Sequence, residues 1–99
     1  MLSYARALQL IQETVAGLRR SGMVETTAPV TAETVLMGAG SPLDSIAFVT
    51  FVTELEERLS RETNQELYLV LKDIHDFNGD AEVLPADTVA RYLVKLAGG

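Results

Sequence analysis

Four stretches of this chain place apolar side chains at steps of three and four residues, the spacing that gathers them on one face of an α-helix. In residues 3–21, Tyr4, Leu8, Ile11, Val15 and Leu18 make one stripe. Ser3 can cap its start, Arg19 and Arg20 lie at the negative end of its dipole, and Gly22 can end it. In residues 44–61, with Asp44 as N-cap, Phe48, Phe51, Val52, Leu55 and Leu59 share the inward face. Ile46 and Val49 point outward beside Ser45, Thr50, Thr53 and Glu57 lie beyond them, and Glu56 sits on the flank. Val70, Ile74 and Phe77 mark a short third helix closed by Asn78-Gly79. Pro85 suits the first turn of a last helix, whose stripe is Val89, Tyr92, Leu93 and Leu96.

The expected fold is all-α: a small irregular four-helix bundle of three longer helices and one short one. A long loop, 23–43, joins the first two helices. Pro29, Gly38, Gly40 and Pro42 punctuate that loop, and Val30, Val35, Leu36 and Leu43 are expected to pin it to the core. Residues 62–69 and 80–84 are expected to be irregular. Ninety-nine residues suit one domain, 1–99, and a hydrophobic content of 47% supports a real core. Burying each large apolar side chain is worth roughly 1.5–3 kcal/mol before entropy is counted.

Charge and composition narrow the function classes. The net charge is −6, so nucleic acid and anionic membranes are poor partners and a basic protein surface is the natural complement. Nine acids fall in residues 51–82 against Arg58, Arg61 and Lys72. With no cysteine there is no thiolate nucleophile, thiolate metal site or disulfide framework, which fits a reducing cytoplasm. No apolar run approaches the ~20 residues of a membrane span. Arg6 and Glu13 interrupt what could otherwise be a signal peptide. A cytoplasmic monomer is expected.

The chemistry of the chain concentrates at Asp44-Ser45, an acid and a hydroxyl at the start of the second helix. The run from Leu36 to Leu59, LMGAGSPLDSIAFVTFVTELEERL, resembles the signature of the acyl carrier proteins. The order of helix, long loop, motif helix, short helix and last helix resembles that family over the whole chain. In the family an Asp-Ser-Leu motif opens the second helix, and its serine carries 4′-phosphopantetheine. The terminal thiol of that arm holds an acyl group as a thioester. The resemblance implies Ser45 as the attachment point and Asp44 as its motif neighbour, with Ile46 in place of the usual leucine. It implies a substrate carrier rather than an enzyme. Its partners would be a phosphopantetheinyl transferase, an acyl-loading enzyme, and elongating or transferring enzymes with basic patches. Ile46, Val49, Glu56 and Glu57 would meet them, and Phe48, Val52 and Leu55 would line a pocket for an acyl chain. Ala47 and Thr50 stand where many fatty-acid carriers show acids, and Pro42-Leu43 where a glycine often precedes the motif. These departures point to a specialised fatty-acid, polyketide or related pathway. A peptidyl or aminoacyl carrier with the same arm, and an unmodified helical interaction module, are the alternatives.

Other features are weaker. Glu54 with Arg58, and Glu57 with Arg61, have the favourable i,i+4 order of a solvated helix face. Glu56 has no partner at that spacing, which makes it the better candidate for contact with another protein. Ser45 with His75 and an aspartate could imitate a hydrolase triad, but the chain has no G-x-S-x-G elbow. Asp73, Asp76, Asn78, Asp80 and Glu82 resemble cation ligands, yet their spacing fails the EF-hand pattern. The terminal Gly98-Gly99 resembles sulfur carriers and ubiquitin-like proteins, whose mostly β fold does not suit these helical periods.

Overall fold

The computed structural model describes residues 2–25, 29–79 and 81–98. Asp80 of the acidic loop, Gly99 of the terminal pair and part of the long loop lie outside the described residues. The element order is α1 (Tyr4–Arg20), β1 (Val35–Met37), α2 (Ser45–Thr63), α3 (Leu71–Asn78), β2 (Leu84–Pro85) and α4 (Ala86–Leu96). Three longer helices and one short one therefore form the expected bundle, to which the structure adds a small antiparallel two-stranded sheet, its strands separated in sequence by α2 and α3. α1 packs against both α2 and α4, and α3 packs against α4.

Local chemistry explains most helix ends. The Ser3 hydroxyl accepts a hydrogen bond from the Arg6 N–H at 3.1 Å, which satisfies one orphan donor of α1. At the other end, the Met23 N–H donates to the Leu18 carbonyl and the Gly22 N–H to the Arg19 carbonyl. That paired closure, with Gly22 at φ +84°, is the Schellman motif. Asn64 caps α2 in the left-handed region at φ 55°.

The core face of α1 is broader than one stripe. Ala7, Leu10 and Thr14 are buried with Ile11, Val15 and Leu18, whereas Tyr4 is exposed and Leu8 only half-buried. A helix held between two others must bury two flanks, and a stripe drawn for one neighbour misses the second. Tyr4 instead donates its hydroxyl to Asp87 Oδ1 at 2.6 Å, reaching from α1 to α4. Thr14 is fully buried but satisfied, because its hydroxyl donates to the Leu10 carbonyl at 2.7 Å. The inward face of α2 matches its sequence: Phe48, Phe51, Val52, Leu55 and Leu59 are all buried. In α3 only Ile74 is buried; Phe77 is half-buried and packs edge-on to Tyr92 at 5.7 Å, and Val70 is exposed just ahead of the helix.

The two-stranded sheet is the feature that periodicity does not reveal. β1 and β2 pair with Val35 opposite Pro85 and Met37 opposite Leu84, with a bulge between. Strands of three and two residues are too short to carry a period. This pairing also explains Pro85, which is the N-cap of α4 rather than part of its first turn and makes no side-chain cap. The first donors of α4 find acceptors in the long loop instead. The Ala86 N–H donates to the Thr34 carbonyl at 2.8 Å and the Asp87 N–H to the Ala32 carbonyl at 2.9 Å. Val30, Leu36 and Leu43 anchor the loop in the core, while Val35 is only half-buried. Gln12 Nε2 holds the loop further through the Val30 carbonyl at 2.8 Å.

Candidate functional site

Asp44 starts α2 from an extended backbone conformation, and its Oδ1 accepts from the Ala47 N–H at 2.7 Å. Its carbonyl accepts the first helical bond, from the Phe48 N–H at 2.8 Å. Ser45 is the first helical residue and is exposed. Helix geometry leaves the N–H groups of Ser45 and Ile46 without an intrahelical acceptor, so positive potential gathers at the serine. Ser41 aims the approach to this corner. Its hydroxyl donates to the Leu36 carbonyl at 2.7 Å and accepts from the Leu43 N–H at 3.0 Å. The segment that delivers Asp44 is thereby tied to β1.

Ser45 borders a cavity of about 690 Å³. Its walls come from β1 and the following turn (Met37, Gly38, Leu43), from the start of α2 (Asp44, Phe48, Val49), from α3 (Leu71, Lys72, Ile74, His75, Asn78) and from Leu84 of β2. Most of the lining is apolar. The two-stranded sheet closes one wall tightly at Gly38, which sits at φ +107°, where a Cβ would lie 2.9 Å from the Glu82 carbonyl oxygen. Asn78 supports the same wall by donating Nδ2 to the Val83 carbonyl at 2.9 Å.

Of the three residues expected around an apolar pocket, only Phe48 lines this cavity. Val52 and Leu55 belong to the buried core instead. They share the inward face of Phe48, but they lie one and two turns further along α2, away from the corner at Ser45. The other walls, from Met37 to Leu84, carry no local signal in the sequence that would have grouped them.

The outer face of α2 is apolar beside the serine. Ile46 and Val49 are 72% and 56% exposed, and Met37 and Leu71 add exposed apolar surface at the cavity rim. Ala47, by contrast, is buried at 1% exposure, because the third position after Asp44 turns back into the bundle; it is not a surface position. Thr50 returns its hydroxyl to the Ile46 carbonyl at 3.1 Å. Glu57 pairs with Arg61 at 2.6 Å, both well exposed, an arrangement worth little to stability. Glu54 and Arg58 both reach toward Gly17 of α1.

Glu56 corrects the sequence reading. It has a partner, because its Oε2 accepts from the Leu69 N–H at 2.8 Å. That partner lies thirteen residues away, beyond any helical spacing rule. Ser60 makes a parallel attachment, accepting from the Leu67 N–H and donating to the Leu67 carbonyl, each at 3.1 Å. Together they lay the segment between α2 and α3 back along α2. Exposed Tyr68 and Val70 ride on that segment.

His75 and Lys72 are exposed on α3 and face the cavity. Lys72 Nζ lies 3.3 Å from Asp76 Oδ2. Among the described residues, no group of three or more His, Cys, Asp or Glu side chains could hold a metal ion. Among them also, no helix is long and apolar enough to cross a membrane.

Comparison with protein-family models, with curated proteins and with solved structures returned no significant match.

Proposed function

We propose that this protein is an acyl carrier: Ser45 takes a 4′-phosphopantetheine arm, and the protein presents acyl groups on it to other enzymes. The observation that carries the reading is Ser45 itself, exposed at the first turn of α2 and bordering a largely apolar cavity of about 690 Å³. An exposed hydroxyl is open to a modifying enzyme, and the helix start favours the negative charge that a phosphodiester brings. The Asp44 carboxylate is engaged by the Ala47 N–H, so the helix keeps its cap when the neighbouring side chain is modified. In the modification Ser45 Oγ bonds to the phosphorus that bears pantetheine, and its proton passes to the transferase. The pyrophosphate link of coenzyme A breaks and the nucleotide bisphosphate departs. The bound arm supplies a thiol for thioester formation. The protein's own part is to tether the cargo, raise its local concentration at each partner, and shelter an apolar chain against Phe48, Leu43 and Ile74.

The partners we assign are a phosphopantetheinyl transferase, an acyl-loading enzyme, and enzymes that extend or transfer the acyl group through basic patches, met in the cytoplasm by a monomeric carrier. Exposed Ile46 and Val49 supply the apolar part of the docking face and exposed Glu57 its acidic end, whereas Glu56 is held by the Leu69 N–H. Ile46→Asp lies in the first helical turn, where an acid is tolerated, so helicity stays intact while transfer to the partner slows. Circular dichroism and a loading assay together check this.

Incubation with coenzyme A and a broad-specificity transferase, read by intact mass, tests the central claim. The expected result is a gain of one phosphopantetheine that Ser45→Ala abolishes. No gain with several transferases would favour an unmodified helical interaction module. A modification mapping to Gly99 would favour a sulfur carrier.

A further inference from the structure

We infer that the Lys72 ammonium and the His75 imidazole of α3 form a hydrogen-bonding wall that receives the phosphodiester on Ser45 and so ties the root of the arm to α3. The inference rests on the reading of Ser45 as the attachment site. Both side chains line the cavity that Ser45 borders, on the wall that α3 supplies. Among the described residues, Lys72 is the one Lys or Arg of this lining, and His75 is the sole histidine of the chain. The remaining charged group in the lining is Asp44.

Charge makes this placement consequential. A phosphodiester on Ser45 sets a new negative charge beside the Asp44 carboxylate, in a chain whose net charge is already −6. The helix start offsets part of that repulsion. Asp73 and Asp76 are the acids on α3, and Asp76 is the present partner of Lys72 at 3.3 Å. That pair is 81% and 61% exposed, so it is weak and readily exchanged. A phosphodiester reached from the cavity side offers Lys72 a charge-assisted bond in its place, and His75 one turn along can donate a second. Modification then affects α3 as well as Ser45, and the cavity wall carries a record of whether the arm is present.

The test uses the full chain, apo and after modification with coenzyme A and transferase, in its native form and as the double variant Lys72→Met/His75→Gln. Amide spectra and the ³¹P resonance are recorded. In the native protein, modification is expected to shift the amides of residues 71–76 as well as those of 45–47. In the double variant the 71–76 response is lost, the 45–47 response is kept, and the ³¹P resonance moves. Raising salt to about 1 M, where the screening length falls to about 3 Å, should shrink the 71–76 response of the native protein in the same way. The salt series stands even if the double variant folds poorly. A 71–76 response equal in native and variant proteins and indifferent to salt overturns the inference, as does no response in the native protein. Absence of the mass gain itself removes Ser45 as the attachment site, and this inference with it. A normal mass gain without the α3 response removes this inference alone.

Discussion

At the scale of single residues, Asp44 has a structural task that is separable from anything done by Ser45. Its carboxylate holds the Ala47 N–H at 2.7 Å. Asp44→Ala should therefore cost about 1 kcal/mol, measured by chemical denaturation, whether or not Ser45 is modified. Glu56 shows the opposite relation between pattern and fact. Its sequence neighbours at helical spacing offer no cation, yet its carboxylate accepts from the Leu69 N–H at 2.8 Å. Glu56→Ala leaves that half-buried N–H without its acceptor and should cost about 1–3 kcal/mol. Hydrogen exchange should show the loss first at Leu67 to Leu69. A weakened partner interaction in such a variant would then need to be separated from loosening of the 64–70 segment.

At the scale of elements, α2 carries two kinds of information on one cylinder. Its inner face belongs to the core, and its outer face changes from apolar at Ile46 and Val49 to charged at Glu57 and Arg61. The two-stranded sheet does what α2 cannot: it supplies a further wall of the cavity that Phe48 lines and presents the loop whose carbonyls cap α4. Gly38 is its tightest point, combining φ +107° with a backbone oxygen 2.9 Å from the position of a Cβ. Gly38→Ala should destabilise by more than about 1 kcal/mol, because an L side chain is strained at that φ even where space allows it. Calorimetry on the variant, with amide shifts at Val35 and Leu84, checks both the magnitude and its location.

At the scale of the whole molecule, α1 is the centre of the bundle, and its polar flank links it to the end of α2. Arg6 pairs with Glu13 at 3.0 Å on its own helix and with Glu62 at 2.8 Å on α2. The hydrogen bond from Arg6 holds the Glu62 carboxyl below its ordinary value of 4.5 and raises Arg6 above its own. A carboxyl that is more acidic in the folded state adds stability above its unfolded pKa and loses it as pH falls through the folded value. The native protein should therefore lose stability between about pH 5 and pH 3 more steeply than Glu62→Gln does. Denaturation midpoints measured across that range compare the two. Both side chains remain 32% exposed to water, so high salt should narrow the difference.

The helices, their caps and the two faces of α2 were legible in the sequence because each depends on residues within a turn or two of one another. Apolar spacing marked the inner face from Phe48 to Leu59, Ser3 and Asp44 announced the helix starts, and the exposure of Ile46 and Val49 followed from the same angles. The position of Ser45 at the head of α2 belongs to that local class. What surrounds it does not. The cavity joins Met37, Phe48, His75 and Leu84, the two-stranded sheet pairs Val35 with Pro85, and Glu56 reaches Leu69. None of these groupings repeats at a period or sits within one element. The wider core face of α1 was likewise set by having neighbours on two sides. The sequence by itself determined which segments are helical and where the serine stands on its helix, since those are short-range matters of spacing and capping. Only the tertiary structure decided that an apolar cavity lies beside that serine, because its walls exist only where four distant segments converge.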